Sequence, residues 1–346
     1  MEEQKRTLVI INNAAARARR AWPRINDALS RAGIRFDAHE TRHAGDATTE
    51  TRAALKEGYG TIAVVGGDGT LSEAAEGFFD LRGDSRNEAS SLRDETASAF
   101  RTSDDLPRAI NSEAALAILP SGTGDDFARG LLSGRRASVE EWTSNLIAHC
   151  RQDGPSRTRP VDVLHGTTGD GSREFICINV ATLGIGAEVA AGVAAQKRFA
   201  RRLPGEARFV SAALAALLAW RERFVRVSLD DGTIIEHRMN LLAVANGVYA
   251  GGGMMFAPDA RLDDGMMNLI LAHDLSRPAI LRELPRIRRG GHLANPHVRA
   301  IKTTRVLIET LSPQDALPVE ADGNVRGHTP ASFRIIPKSL KLVQPG

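Results

Sequence analysis

Thr61-Ile-Ala-Val-Val65 runs straight into Gly66-Gly67-Asp68-Gly69-Thr70-Leu71-Ser72-Glu73. The first five residues are apolar and mostly β-branched, the pattern of a strand buried on both faces. Leu71 to Phe79 reads as the helix that follows. A strand that turns through glycines into a helix lets backbone N–H groups approach an anion. No side chain intervenes, and the helix dipole favours negative charge there. Asp68 has the wrong charge to meet phosphate itself, but it suits Mg²⁺ or water bound to that ion. No Lys-Ser/Thr pair follows the glycines, so this is not a Walker A loop. The spacing is not Gly-x-Gly-x-x-Gly either, which excludes a Rossmann turn. The plain alternative is a tight glycine turn with an exposed aspartate.

The flanking sequence repeats this alternation. Thr7-Leu-Val-Ile-Ile11 is a buried-strand pattern ended by Asn12-Asn13, and residues 14–32 form an amphipathic helical pattern closed by Gly33. Ile34 to Glu40 predicts a strand, Asp46 to Glu57 a helix closed by Gly58, and Ala115 to Leu119 a further strand. Strands separated by helices predict an α/β domain with a parallel sheet. Residues 81–113 are polar and aperiodic, which predicts a long, mobile surface insertion. From about residue 160 the texture changes. Val161 to Leu164, Glu174 to Val180, Val225 to Leu229, Asn240 to Asn246, Asn268 to Ala272, Ala300 to Thr304, Val306 to Glu309 and Phe333 to Ile336 read as strands. Turns such as Asp230-Asp-Gly232 separate many of them, the cadence of a mostly antiparallel β-sandwich. One helical stretch, Glu206 to Arg221, interrupts it. The predicted organisation is a nucleotide-binding α/β domain over 1–135 and a β-sandwich substrate domain over 160–330. The C-terminal segment 331–346 is a candidate to complete the first domain.

Three further motifs stand beside the first. Ile118-Leu-Pro-Ser-Gly-Thr-Gly-Asp-Asp-Phe-Ala-Arg129 also passes from a strand into a helix. Gly122 and Gly124 flank Thr123, a possible donor to a nucleotide, while Asp125 and Asp126 could cap the helix or bind metal. Two glycine-rich turns in one sheet fit a nucleotide site better than either alone. Ala245-Asn-Gly-Val-Tyr-Ala-Gly-Gly-Gly253 permits close backbone packing, and Asp263-Asp264-Gly265 reads by itself as a hairpin turn. Last comes Val319-Glu-Ala-Asp-Gly-Asn324, a carboxylate on a sharp turn that could meet a substrate hydroxyl.

Composition excludes several classes. The longest apolar run, Val210 to Trp220, is about half of what a membrane-spanning helix needs. The start, Met-Glu-Glu-Gln-Lys-Arg, has no apolar signal-peptide core. The two cysteines, Cys150 and Cys177, give no disulfide framework or zinc spacing, so the expected location is cytoplasmic. Net charge is +3 and the sequence pI about 9.1. Arginines cluster at Arg17, Arg19, Arg20 and Arg24, at Arg198, Arg201 and Arg202, and at Arg286, Arg288 and Arg289. Such clusters suit phosphates or the anionic inner face of a membrane, or are simply solvated helix faces. Aromatics make up only 5% and do not interleave with the basic runs, which argues against nucleic acid as a partner.

Taken together, the motifs resemble the diacylglycerol kinase catalytic-domain family, which includes bacterial diacylglycerol and related lipid kinases and sphingosine kinases. The order is specific: Gly-Gly-Asp-Gly-Thr, Pro-x-Gly-Thr-Gly-x-Asp-Phe-Ala-Arg, Asn-Gly-x-x-x-Gly-Gly-Gly, Asp-Gly and a final Asp-Gly. It runs from Leu8 to about Val343, apart from the insertion. The resemblance implies a NAD kinase-like α/β domain carrying ATP, a β-sandwich completing the cleft, ATP and Mg²⁺ as cofactors, and often a homodimer. It implies nucleotide contacts from Asn12, Arg17, Thr41, Gly66, Gly67, Asp68, Gly69, Thr70, Leu71, Ser72, Glu73, Gly122, Thr123 and Asp126. Asp68 and Asp126 resemble members of an aspartate–water–Mg²⁺ network. Asp264, with the carbonyls of Arg261 and Met266, resembles a structural magnesium site.

This chain departs from the family pattern at several positions. The opening Asn-Pro-x-Ser-Gly-Lys reads Asn12-Asn-Ala-Ala-Ala-Arg17. Asp125 and Ser72 stand where asparagines are usual. The final Asp-Gly-Glu reads Asp322-Gly-Asn324, and asparagine cannot take a proton at neutral pH. The resemblance therefore implies transfer of the ATP γ-phosphoryl group to a lipid hydroxyl, with Asp68 and Asp322 catalytic and Asp322 or Glu320 meeting the hydroxyl. The lipid substrate would be met at the membrane surface. Two other readings stand beside it: a NAD kinase, and a nucleotide- or lipid-binding protein that has lost catalysis.

Overall fold

The computed structural model describes residues 6–81, 106–152, 158–169, 171, 173–195, 216–217 and 220–344. Most of the expected insertion, most of the helix expected over Glu206 to Arg221, and the arginines at 198, 201 and 202 lie outside the described residues.

The N-terminal half alternates strand and helix: β1 (Thr7–Ile11), α1 (Ala16–Arg31), β2 (Phe36–Glu40), α2 (Asp46–Lys56), β3 (Thr61–Gly66), α3 (Asp68–Glu76), β4 (Ala115–Pro120), α4 (Asp126–Leu131) and α5 (Val139–Arg151). The strands pair in parallel in the order β2–β1–β3–β4. All of β1 and β3 and nearly all of β4 are buried, because helices cover both faces of a parallel sheet. Helix α1 turns Ala18, Ala21, Ile25 and Leu29 inward, a three- to four-residue spacing. Helix α3 begins three residues earlier than the sequence predicts. Gly67 is an extended N-cap, and Leu71 N–H already donates to Gly67 O at 3.1 Å. The glycines thus form almost no loop, and Asp68 itself opens the helix.

The second half comprises β5 (Thr158–Thr168), β6 (Arg173–Cys177), β7 (Val180–Gly184), α6 (Ile185–Ala195), β8 (Arg223–Leu229), β9 (Ile234–Ala245), β10 (Tyr249–Ala250), β11 (Met254–Met255), β12 (Met267–His273), α7 (Arg277–Ile287), β13 (Val298–Thr303), β14 (Arg305–Thr310), β15 (Pro318–Ala321), β16 (Asn324–His328) and β17 (Ala331–Val343). Apart from the parallel contact between β17 and β4, its ladders are antiparallel. Leu164, Phe175, Leu183, Val225, Leu242, Leu269, Val306 and Phe333 fill its core. Phe175 and Phe333 meet edge to face at 5.9 Å. The sequence reading contains no helix at α7. It carries Pro278 in its first turn and Pro285 inside, and an internal proline reads as a breaker. Ile287, with Ala279 and Ile280 partly buried beside it, packs the helix against the sandwich all the same.

β17 joins the halves. Its first residues pair with β14, from Ala331↔Ile308 to Arg334↔Arg305. The ladder to β5 is irregular between Ile336 and Leu340, and Lys338 adopts a left-handed φ of 48°. Beyond that break, Lys341 and Leu342 pair in parallel with Ala115 and Leu116 of β4. No described helix is long and apolar enough to cross a membrane.

Candidate active site at the domain junction

The two glycine-rich turns touch. A Cβ on Gly122 would lie 2.6 Å from the Gly67 Cα, and one on Gly67 would lie 3.1 Å from the Gly122 Cα. Any larger residue would push the two backbones apart. Arg17 Nη1 donates to Gly122 O at 2.7 Å, bringing the third segment onto the same turn. Asp125, in a left-handed conformation (φ 49°), accepts the Gly122 N–H at 2.8 Å. Asp68 fastens the turns together: its two carboxylate oxygens accept the N–H groups of Asp126 and Phe127, each at 3.0 Å. Those amides belong to the first turn of α4, where a carboxylate is favoured.

Three carboxylates therefore crowd one corner. Burial pushes the Asp125 carboxyl up to about 6, and repulsion from Asp68 adds to this. Burial, then Asp68, likewise raises Asp126. Asp126 Oδ2 accepts the Gly252 N–H at 2.7 Å. Gly251, Gly252 and Gly253 all have positive φ (64°, 84° and 100°), which lets the β10–β11 hairpin fold its amides over α4. Asp126 Oδ1 is buried with no hydrogen-bond partner, and Arg129 Nη1 lies 3.9 Å away. A buried carboxylate oxygen without a hydrogen bond, beside the Asp68 carboxylate, fits a divalent cation or a water bound to one. Asp68 and Asp126 are the residues that would hold it.

The other candidates divide into two groups. Asn12, Thr70, Gly66, Gly69, Thr41 and Thr123 lie at or beside the turns. Asn12 Nδ2 donates to Thr70 Oγ1 at 2.7 Å, while its Oδ1 accepts the N–H groups of Ala14 and Ala15. A Cβ on Gly66 would sit 3.0 Å from Thr70 Cβ, and one on Gly69 4.0 Å from the Asp322 carbonyl oxygen. Thr41 N–H donates to Ile11 O at the end of β2, and Thr123 is exposed on the rim. The early start of α3 turns the side chains of Leu71, Ser72 and Glu73 elsewhere. Leu71 enters the core and Ser72 Oγ donates to Asp322 at 2.9 Å. Glu73 accepts the amides of Gly45 and Ala47 at the start of α2, and burial raises its carboxyl.

Asp322 and Gly323 form the two-residue hairpin turn between β15 and β16, with φ of 50° and 88°, the sign pattern of a type I′ turn. The Asp322 carboxylate accepts from five donors: Ser72 Oγ (2.9 Å), Cys177 Sγ (3.3 Å) and the N–H groups of Ile178 (2.8 Å), Asn179 (3.1 Å) and Val180 (3.1 Å). A carboxylate offers about four lone-pair sites, so the group is full. The sequence expectation that Asp322 meets a substrate hydroxyl thus encounters an acceptor already occupied by the protein. Burial lifts its carboxyl against the pull of these donors. Glu320, two residues earlier, is also buried and is pushed up to about 7, with Thr182 Oγ1 donating at 2.6 Å and the Gly323 N–H as its other donor. Asn324 Nδ2 is buried without a partner.

Asp264 stands apart from this corner. Its Oδ2 is 2.8 Å from Lys302 Nζ, and its Oδ1 accepts the Met266 N–H. Arg261 projects outward toward Asp263 at 3.7 Å. The Lys302 ammonium thus lies against the carboxylate that the resemblance assigns, with the carbonyls of Arg261 and Met266, to a structural magnesium. Sequence reasoning also assigned no role to two buried residues that hold the motifs in place, Asp162 and Asn246, the latter opening the Asn-Gly-x-x-x-Gly-Gly-Gly block. Asp162, fully buried, accepts from Gly265 N–H and Lys338 N–H, both at 2.7 Å. Asn246 Nδ2 donates to the carbonyls of Asp162 and Ile178, both at 2.8 Å. The available signal was a lone polar residue inside each apolar run.

Fold and site define a two-domain protein: a parallel α/β domain whose glycine turns face an acidic, amide-lined corner closed by a β-sandwich. The diacylglycerol kinase catalytic domain matches residues 6–165, and the YegS C-terminal NAD kinase β-sandwich-like domain matches residues 180–344. The chain belongs to the diacylglycerol kinase catalytic-domain family, a family of lipid kinases. It is 25% identical over 351 residues to a diacylglycerol kinase of Staphylococcus carnosus, covering 99% of this chain and 96% of that protein. It is 27% identical to a protein of Chromohalobacter salexigens named "probable lipid kinase YegS-like", covering 98% and 93%. A crystal structure of a diacylglycerol kinase from Bacillus anthracis shares the fold, with a TM-score of 0.64, 19% identity and coverage of 99% and 98%.

Proposed function

We propose that this chain transfers the γ-phosphoryl group of ATP to the hydroxyl of a lipid alcohol, diacylglycerol or a close relative. The observation that carries this reading is the contact of Gly67 with Gly122 beside the unpartnered Asp126 Oδ1. Such transfer needs little covalent chemistry from the protein; positioning and charge neutralisation supply most of it. A bound Mg²⁺ would neutralise phosphate charge. The glycine turns bring amides close to the phosphates, Arg17 supports the Gly122 turn, and Asp68 and Asp126 hold the cation. Asp322 is a positioning residue: Ser72 of α3 and residues 177–180 hold the last turn through its carboxylate. Burial pushes the Glu320 carboxyl up to about 7, a range suited to accepting a proton.

Purified protein with labelled ATP, Mg²⁺ and a panel of lipids in mixed micelles should form phosphorylated lipid. No label above background across the panel would defeat the proposal. Asn324→Glu, which supplies the carboxylate usual in the family, should raise kcat by about tenfold or more, since a general base contributes about 10²–10⁴ in rate. An unchanged or lower kcat in a folded variant would show that Asn324 does not limit the reaction.

The lipid would be met at an anionic bilayer, along α7. Leu281 and Leu284 are exposed at 48% and 42%. With Arg277 and Arg288 they make one stripe at helical spacing, and Arg282, Arg286 and Arg289 are exposed beside it. Basic side chains flanking exposed leucines suit an anionic membrane surface. The helix is tied to the acidic corner: a Cβ on Gly290 would lie 2.6 Å from Pro258 Cγ and 3.2 Å from the Met255 sulfur. Met255 ends the hairpin whose Gly252 reaches Asp126. Leu281→Ser with Leu284→Ser should weaken binding to phosphatidylglycerol vesicles by about tenfold or more, and leave turnover of a short-chain, detergent-dispersed lipid unchanged. Equal vesicle binding in a co-sedimentation assay would remove α7 from the membrane face.

A further inference from the structure

Three histidines and an aspartate meet on the sandwich, in residues that neither the phosphoryl-transfer site nor α7 uses. The β12–β9 ladder runs in step from Asn268↔Ala245 to Ala272↔Leu241, then slips so that His273 faces Met239. Such a bulge re-aims the side chains beside it. The backbone after the slip is fixed from two sides. His273 N–H donates to His297 O at 3.1 Å, and Asp274 N–H donates to Arg238 O at 3.2 Å. Asp274 takes the left-handed conformation, φ 52°. Three segments, the end of β12, the middle of β9 and the residue before β13, are thereby drawn to one point.

At that point Asp274 Oδ2 is 3.0 Å from His273 Nδ1 and 3.6 Å from His237 Nδ1. The His237 and His273 rings stack at 4.4 Å, and the His297 ring stands edge-on to His273 at 5.7 Å. One ligand atom from each of His237, His273 and Asp274 lies within 4.8 Å of the other two. A tetrahedral ion with ligand bonds of about 2.0–2.1 Å needs its ligand atoms roughly 3.3 Å apart, so the separations from Asp274 bracket that value. The His273 side chain is only 12% exposed, while His237 and Asp274 are 40% and 45% exposed, which leaves solvent access to a held ligand. Two imidazoles and one carboxylate suit zinc-like transition ions, not magnesium.

We propose that His237, His273 and Asp274 form a binding site for a divalent transition ion of the zinc type, with His297 the nearest candidate for a fourth ligand. The site goes beyond the kinase reading and stands whether or not that reading does.

The test uses the full chain stripped of metal, titrated with zinc chloride by calorimetry in excess Mg²⁺ to fill carboxylate-only sites. Cobalt(II) serves as a second probe, because its visible absorption reports tetrahedral ligation. The expected result is one equivalent of zinc on the wild type, weakened by about tenfold or more in each of His237→Ala, His273→Ala and Asp274→Asn. His39→Ala, which alters the other His–carboxylate group (His39, Asp46 and Glu50), should leave binding unchanged. His237 is partly exposed, so its variant keeps the test sound if His273→Ala does not fold. Absence of stoichiometric binding to the wild type overturns the site. So does full affinity in His237→Ala, or a loss that follows His39→Ala instead.

Discussion

Asp322→Ala destabilises the protein by about 3–5 kcal/mol, the range for removing one side of a buried charged interaction. The substitution leaves three backbone N–H groups, the Ser72 hydroxyl and the Cys177 thiol without their acceptor. Each buried polar group so orphaned costs about 1–3 kcal/mol, and relaxation of the Asp322-Gly323 turn offsets part of the sum. The damage is also spread across the domain boundary. Ser72 belongs to α3, residues 177–180 lead into β7, and the aspartate sits between β15 and β16. A urea or thermal melt should show the loss as a lower midpoint. Asp322→Asn, which keeps the shape and one acceptor oxygen, should fall between the two. A midpoint equal to that of the wild type would mean that the five donors find other acceptors once the carboxylate is gone.

Asp68→Asn is expected to act oppositely, with a large effect on rate and a small one on stability. The asparagine oxygen can still accept one of the two α4 amides, so the cost to the fold is about 1–2 kcal/mol, as for a lost helix cap. The charge that would hold the cation with Asp126 disappears. Removing one preorganised electrostatic contact typically costs about 10²–10³ in kcat, and lipid phosphorylation should fall by that amount. A variant that keeps wild-type kcat while its melt is unchanged would place the cation elsewhere. Comparing the two aspartates separates positioning from charge neutralisation, because one substitution moves the melt and the other moves the rate.

The parts of this fold that were legible in the sequence are those whose cause is local. Thr61 to Val65 and Ala115 to Leu119 are buried in the middle of the sheet as their pattern predicts. Gly67 and Gly122 signal close approach because nothing else fits at 2.6 Å. Other features depend on distant partners. Nothing near Asp322 announces that Ser72 and residues 177–180 will fill its carboxylate. The Gly67 N-cap moved the start of α3 to Asp68 and so sent Ser72 and Glu73 away from the turn, a shift too small for periodicity to resolve. Helix α7 was hidden by its prolines and shows itself only where Ile287 finds the sandwich core. Lys302 reaches Asp264 from another strand, which no reading of Asp263-Asp264-Gly265 alone contains.

The divided pairing of β17 bears on how the chain is made. Until Lys341 and Leu342 emerge from the ribosome, β4 has no neighbour on its outer side, although the rest of its sheet was synthesised long before. An open strand edge of that kind invites wrong partners. The nascent N-terminal half must therefore wait, with its cradle unsealed, for a strand that is made only after the whole β-sandwich. A stop codon shortly before Ser339 would deprive both halves at once.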